Sequence, residues 1–74
     1  MMNFENTEKS LPEKLSDDIV SYILEKEMKP GDKLPNEAFL AKEMGAGRSS
    51  LREAMKILST MGIVEIKRGD GTYV

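Results

Sequence analysis

The 74-residue sequence contains no cysteine and no histidine. Without cysteine there is no disulfide framework and no thiolate chemistry. Without histidine the chain lacks the commonest general base and the commonest metal ligand. Thirteen Asp and Glu residues are present, but no pattern places two of them in one cleft, and no nucleophile has a base beside it. We therefore predict that the chain is not an enzyme and that it uses no metal ion or cofactor.

Long apolar runs are also missing. No segment approaches the roughly 20 apolar residues that span a bilayer, and residues 1–9 are polar, unlike a signal peptide. We expect a cytoplasmic protein in which residues 1–9 form a disordered lead-in and residues 10–74 form one domain. With 39% apolar residues, that domain has enough material for a single small core.

Positive charge is scarce overall but is concentrated in the second half of the chain. The net charge is −2, which by itself argues against a nucleic-acid binder. Residues 1–44 carry six lysines and ten acidic residues, whereas residues 45–74 carry five basic and three acidic residues, including every arginine. This asymmetry points to a basic surface built by residues 45–74.

Residues 10–27 show a helical pattern. Ser10 and Glu13 have the spacing of a capping box, and Pro12 between them is tolerated in a first turn. The apolar face that follows consists of Leu15, Ile19, Tyr22 and Ile23. We predict that this helix ends near Glu27, because Pro30-Gly31 cannot continue it and suits the centre of a type II turn.

Two further helices are predicted on either side of Gly45. Asn36 is a good N-cap for a helix over about 37–43, and Gly45 suits the left-handed residue that follows a helix. Gly47 can cap the third helix, which should end at Gly62 and has the clearest amphipathic pattern in the chain. Its apolar positions, assigned to the core, are Leu51, Ala54, Met55, Leu58 and Met61, and its opposite face carries Arg48, Ser49, Arg52, Lys56 and Ser59.

Residues 63–74 predict a hairpin. Residues 63–67 favour a strand, residues 68–71 form a turn cluster in which Asp70-Gly71 is the strongest hairpin signal, and residues 72–74 would form the returning strand. A short strand at Lys33 and Leu34 could pair with it. The predicted fold class is α+β and mainly helical, a winged helix-turn-helix of three helices and a two-stranded β wing, with or without the short third strand.

This order of elements suits DNA binding. The second helix of a helix-turn-helix lies in the major groove, and here its start carries Arg48 and Arg52, whose side chains can donate paired hydrogen bonds to guanine. A hairpin with Arg68 at its tip could reach the neighbouring minor groove. On spacing alone, the arginines could instead form a solvated face, with Arg52 paired to a neighbouring carboxylate. Glu53 lies beside them and is expected to orient one of them.

Several motifs together resemble the winged helix-turn-helix domain of GntR-type bacterial transcription regulators. The resemblance runs from about residue 15 to residue 74, and the Leu-Arg-Glu-Ala run is most similar to the branch that includes the fatty-acid regulator FadR. The matching residues are Leu34-Pro35-Asn36-Glu37, Ala41, Met44-Gly45, Arg48-Ser49-Ser50-Leu51-Arg52-Glu53-Ala54, Gly62 and Gly69-Asp70-Gly71-Thr72-Tyr73-Val74.

The resemblance implies a set of DNA-binding residues. They are Arg48, the hydroxyls of Ser49 and Ser50, Arg52, and the wing residues Arg68, Gly69 and Gly71, to which we add Lys67 as a phosphate contact. Two departures from the family pattern remove expected contacts. Gly47 stands where the family usually has serine, and Ala38 stands where it often has arginine.

The resemblance also implies partners. These are double-stranded DNA with a palindromic operator, a second copy in a full-length homodimer, and a small-molecule effector bound by a C-terminal domain that this chain lacks. We therefore expect a DNA-binding fragment of a longer protein. The alternative is a winged-helix module for protein–protein contact. The overall acidity favours that alternative, whereas the polar face of the third helix favours DNA.

Overall fold

The computed structural model describes residues 9–74, which form three helices followed by a two-stranded antiparallel sheet. The predicted winged helix-turn-helix class is confirmed. The predicted disordered lead-in at residues 1–9 falls almost wholly outside the described residues. The elements are α1 (Leu11–Glu25), α2 (Glu37–Glu43), α3 (Arg48–Thr60), β1 (Glu65–Lys67) and β2 (Gly71–Tyr73).

Helix α1 begins after the predicted capping box of Ser10 and Glu13. The Ser10 hydroxyl accepts a hydrogen bond from the backbone N–H of Glu13, and the Glu13 carboxylate accepts one from the N–H of Ser10. Its buried apolar face is formed by Leu15, Ile19 and Ile23. None of the helices in residues 9–74 is long and apolar enough to cross a membrane.

The end of α1 corrects the sequence prediction, because the helix stops at Glu25 rather than near Glu27. Glu27 has a left-handed backbone with φ 53°. The N–H of Glu27 donates to the carbonyl of Leu24, and the N–H of Met28 donates to that of Ile23. This is the hydrogen-bond pattern of a Schellman end. It returns Met28 to the core, where that side chain is partly buried, so tertiary packing ends the helix before Pro30 is reached.

The turn predicted at Pro30-Gly31 is present. The N–H of Asp32 donates to the carbonyl of Lys29 over 2.9 Å, and Gly31 has φ 95°, as a type II turn requires at its third position. This turn directs residues 32–34 toward the sheet.

Helices α2 and α3 begin where predicted. The Asn36 side chain accepts a hydrogen bond from the N–H of Phe39 over 2.8 Å, and Gly47 caps α3 without a side-chain hydrogen bond. Between the helices, Gly45 has φ 64°, a conformation that costs other residues about 1–2 kcal/mol. The N–H of Ala46 then donates to the carbonyl of Ala41. This tight reversal fixes the angle between the two helices.

The inner face of α3 is completely buried, with Leu51, Ala54, Met55 and Leu58 at most 1% exposed. Met61, predicted to belong to the same core stripe, is 64% exposed. The prediction was wrong because α3 ends at Thr60, and the N–H of Ile63 then bonds back to the carbonyl of Leu58. The reversed chain brings residues 63 and 64 onto the core in place of residue 61.

The core lies where α1 packs across α3, and α2, the turn and the sheet close its edges. Its side chains come from all three helices and from the segments that flank the sheet. They are Leu15, Ile19, Ile23, Leu34, Leu40, Ala41, Leu51, Ala54, Met55, Leu58 and Val64.

The first strand of the wing is shorter than predicted, whereas the turn lies within the predicted cluster of residues 68–71. β1 covers Glu65–Lys67 instead of residues 63–67, and β2 covers Gly71–Tyr73 instead of residues 72–74. Lys67 pairs with Gly71, and the N–H of Asp70 donates to the carbonyl of Lys67. Within the predicted cluster, Arg68 and Gly69 occupy the centre of the turn, and Gly69 has the positive φ, 74°, that this position needs.

The short third strand is present as a single bridge. Lys33 pairs antiparallel with Tyr73, and the N–H of Leu34 donates to the carbonyl of Thr72 over 2.8 Å. Val74 donates to the carbonyl of Asp32 and accepts from the N–H of Gly31. The connection between α1 and α2 thus holds the base of the wing.

Candidate nucleic-acid interface

A groove lies between the outer face of α3, the start of α2 and the wing. Helical spacing places Arg48, Arg52 and Lys56 on one side of α3, four residues apart, and the wing adds cations from its strand and its tip. Six basic and two acidic residues line the groove, a local balance of +4 in a chain whose net charge is −2. They are Lys33, Arg48, Arg52, Lys56, Lys67, Arg68, Glu37 and Asp70.

The groove brings together six of the eight residues that the sequence assigned to DNA. Arg48 and Arg52 come from α3, and Lys67, Arg68, Gly69 and Gly71 come from the wing. Ser49 and Ser50 are not among the lining residues, because their positions lie about 100° and 200° around α3 from Arg48. Ser49 is exposed and Ser50 is half-buried.

The first turn of α3 offers a second kind of polar group. The intrahelical ladder begins with the N–H of Leu51, which donates to the carbonyl of Gly47. The N–H groups of Arg48, Ser49 and Ser50 precede that bond, and Gly47 has no side chain to cap them. Such free N–H groups at the positive end of a helix are suited to anionic oxygen.

Arg52 is held by a carboxylate that the sequence analysis did not single out. Its Nε and Nη2 atoms lie 3.3 and 3.1 Å from Oε1 of Glu37, in the first turn of α2. Nη2 of Arg48 lies 3.9 Å from the same oxygen. Glu37 is 15 residues from Arg52 in the chain, so only the crossing of α2 and α3 brings the two together.

Glu53, which was expected to orient an arginine, does not do so. Its Oε2 accepts a hydrogen bond from Nζ of Lys56 over 3.3 Å. Glu53 and Lys56 are three residues apart on the same helix, a spacing that makes them neighbours on its surface. The interpretation of Arg52 as paired to a neighbouring carboxylate correctly describes the free chain, but the carboxylate belongs to Glu37.

A polar cluster centred on Asp70 braces the turn of the wing. The hydroxyl of Tyr73 donates to Oδ2 of Asp70 over 2.9 Å, and Nζ of Lys33 lies 3.4 Å from Oδ1. The Tyr73 hydrogen bond, followed by the one from Lys33, lowers the pKa of Asp70 below its usual 3.8. The hydrogen bond to Asp70 raises the pKa of Tyr73 above its usual 10.0, and desolvation adds to this.

The Tyr73 ring supports cations as well. Nζ of Lys67 lies 4.5 Å from the ring centroid and Nζ of Lys33 lies 5.9 Å from it, within the range of a cation–π interaction. Gly71 makes room for Lys33, because a Cβ at Gly71 would lie 2.6 Å from Cε of that lysine. Lys33 was missed by the sequence analysis, since it acts through the bridge to β2.

No group of three or more potential metal ligands is found within residues 9–74. The groove presents arginine, lysine and backbone N–H donors to a ligand, a chemistry that matches the phosphates and base edges of nucleic acid.

Comparison with protein families identifies the chain. The model of the bacterial regulatory proteins of the gntR family matches residues 11–74. The chain belongs to the GntR family. The family predicted from the motifs is thereby confirmed, and it is a family of regulatory proteins, not of enzymes.

Relatives and solved structures agree with this assignment. The chain is 44% identical over 68 residues to the HTH-type transcriptional regulator Mce2R of Mycobacterium tuberculosis, covering 92% of this chain and 28% of that protein. It is similar to the structure of Streptococcus agalactiae GntR, with TM-score 0.83, 44% identity, and coverage of 85% of this chain and 30% of that one. The AraR DNA-binding domain in complex with operator ORR3 aligns with TM-score 0.77 and 26% identity, over 96% of this chain and 92% of that one.

The chain thus spans about 28% of the length of the full-length regulator Mce2R, whereas it matches nearly the whole of the AraR domain. The matched region is the GntR helix-turn-helix unit.

Proposed function

We propose that this GntR domain binds operator DNA in a sequence-specific manner, with α3 in the major groove and the wing in or near the adjacent minor groove. The observation that carries the proposal is the groove with a balance of +4, formed by α3 and the wing in an acidic chain. A local excess of this kind is the electrostatic footprint that polyanion binding requires.

The residues divide into two roles. Arg52 reads a base, because its guanidinium can donate two parallel hydrogen bonds to O6 and N7 of guanine. Arg48, Lys67 and Arg68 bind phosphate, as do the hydroxyls and free N–H groups of Ser49 and Ser50. Gly69 and Gly71 allow the wing backbone to approach the duplex closely.

The size of this domain determines the length of DNA that it can cover. Helix α3 has 13 residues and is therefore about 20 Å long, so one helix and one wing cover a single half-site. The full-length regulator would be a homodimer that joins two such units on a palindromic operator. Its effector would bind a separate C-terminal domain. Because its target is the bacterial chromosome, the protein would act in the cytoplasm.

The acidity of the chain favoured a protein-interaction module, but most of the acidic residues that the structure describes do not line the groove. Helix α1 carries Asp17, Asp18 and Glu25 and contributes no residue to the groove. The net charge of −2 therefore does not argue against DNA at α3. A protein-interaction role remains the outcome to accept if DNA binding fails.

The decisive experiment compares a selected duplex with random DNA. The 74-residue chain is used to select its preferred duplex from a random pool, and the affinity of Arg52→Ala is then measured on that duplex and on random duplex. We expect a loss of about 1–3 kcal/mol on the selected duplex and relaxed base preference at one position. Equal losses on both duplexes would refute direct readout by Arg52.

A second titration tests the half-site. The chain should bind an isolated half-site weakly, near the non-specific range of about 10⁻⁴–10⁻⁶ M at physiological salt. Two tethered copies should regain affinity on a palindrome through effective concentration alone. Nanomolar binding to one half-site would contradict the half-site argument, and no binding to any DNA at low salt would favour the protein-interaction module.

A further inference from the structure

Glu37 places a carboxylate inside the surface that we assign to DNA. Of the two acidic residues in the groove, Asp70 lies in the turn of the wing and is engaged by Tyr73 and Lys33. Glu37 instead faces the arginines of α3. A carboxylate near phosphates weakens binding to every DNA sequence by repulsion. We therefore asked what role Glu37 has at this position.

Stability does not supply that role. The side chains of Arg52 and Glu37 are 57% and 31% exposed, and exposed ion pairs contribute little to folding. The geometry of the pair is more informative than its strength.

Glu37 occupies one edge of the Arg52 guanidinium and leaves another free. A guanidinium has five N–H donors in a fixed planar fork. Nε and Nη2, which lie on the same edge, both donate to Oε1 of Glu37. The edge formed by Nη1 and the second proton of Nη2 stays available, and such a two-donor edge matches O6 and N7 of guanine.

The carboxylate is itself well fixed. Glu37 is the first residue of α2, whose start is set by the Asn36 cap, and a negative charge is favoured in this first turn. Helix α2 therefore acts as a rigid support for the guanidinium. Without this support, the long arginine side chain samples many rotamers and reaches phosphates as easily as a base edge.

We propose that Glu37 is a positioning residue that sets the base selectivity of Arg52, exchanging some general affinity for sequence discrimination. This inference rests on the proposed DNA-binding function. It concerns the ratio of affinities for selected and random duplex, not DNA binding as such.

The test uses Glu37→Gln, with Glu53→Gln as the matched control. Both changes remove one negative charge beside the groove, but Glu53 pairs with Lys56 rather than with an arginine. The probes are the duplex selected by the wild-type chain and a random duplex of equal length, titrated at 50 mM salt. Glu37→Gln should lower the selected-to-random affinity ratio by about tenfold, within the discrimination that one bidentate contact supplies, while binding random duplex at least as tightly as wild type.

Glu53→Gln should leave that ratio unchanged. Thermal unfolding of both variants establishes that they fold alike, and Glu37→Ala, which has no acceptor at all, should lower the ratio at least as far as Glu37→Gln. A double-mutant cycle then asks whether Glu37 acts through Arg52. In an Arg52→Ala background, Glu37→Gln should change the ratio less than twofold.

Three results would overturn the inference. The ratio could be the same in Glu37→Gln as in Glu53→Gln, so that Glu37 is only a surface charge. The loss could persist in the Arg52→Ala background, so that Glu37 contacts a base itself. If the wild-type chain selects no duplex, the proposed function fails together with the inference, whereas the first two results leave DNA binding intact.

Discussion

The proposed DNA binding should weaken steeply with salt, by an amount that the cations of the groove determine. Of the six cations in the groove, Arg52 is assigned to a base, Lys33 is held by Asp70 at 3.4 Å, and Lys56 is held by Glu53 at 3.3 Å. The three that remain for phosphate are Arg48, Lys67 and Arg68. Each phosphate contact contributes a slope of about −0.9, so log K should fall against log salt with a slope of about −2.7. Between 50 and 200 mM salt the affinity should then drop about 40-fold.

Removing one of these cations tests the count. Lys67 lies on β1 with its ammonium over the Tyr73 ring, and Lys67→Ala should reduce the slope to about −1.8 and the loss to about 12-fold. Lys42→Ala is the control, because Lys42 is exposed in the last turn of α2 and does not line the groove. The assay is fluorescence anisotropy on a random duplex at 50, 100 and 200 mM salt.

Two results would refute this reasoning. A wild-type slope shallower than about −1 would mean that the groove does not meet several phosphates at once. An equal change of slope in Lys42→Ala and Lys67→Ala would mean that net charge, rather than the groove, determines binding.

Three predictions concern folding, and urea denaturation measures each of them. Leu51→Ala should lower the free energy of unfolding by about 2–5 kcal/mol because Leu51 is fully buried, whereas Met61→Ala should change it by less than about 0.5 kcal/mol; equal effects would contradict the assigned core. Gly45→Ala should cost about 1–2 kcal/mol through its positive φ alone, since nothing lies within 4 Å of the added Cβ. Asp70→Asn should be less stable than wild type at pH 7. The folded state lowers the pKa of Asp70 below its usual 3.8, so the difference in the free energy of unfolding is fully present above pH 3.8. It should disappear as the pH falls through the lower folded pKa. A difference that persists at low pH would assign the effect to packing.

The helix starts could be predicted because their causes are local. Ser10 with Glu13, and Asn36 alone, cap helices through side chains within three residues in the chain. Gly62 was correctly predicted to end α3, since it has φ 77° directly after the C-cap Met61. The end of α1 and the exposure of Met61 were misjudged because Met28 and Ile63 pack back onto the core after each helix. That reversal depends on the tertiary structure, and the spacing of apolar residues in the sequence does not reveal it.

In the candidate site too, features with local causes could be predicted and features that depend on the tertiary structure could not. Arg48 and Arg52 could be found because helical spacing alone places them on one face. Their partner Glu37 could not, because a contact across 15 residues depends on how α2 crosses α3. The turn of the wing was correctly located within residues 68–71, whereas the hydrogen bond that Tyr73 donates to Asp70 was not predicted.

The hydrogen bonds that join residues 31–34 to residues 72–74 also decide how the wing moves. Because Leu34 bonds to Thr72 and Val74 bonds to Asp32 at its base, the hairpin can flex only beyond that clamp, over the pair of Lys67 with Gly71 and the turn between them. Amide hydrogen exchange should therefore be slow at the base and fast at Arg68 and Gly69. So short a flexible segment has few conformations to lose when it binds a duplex, so ordering it reduces the binding free energy only slightly.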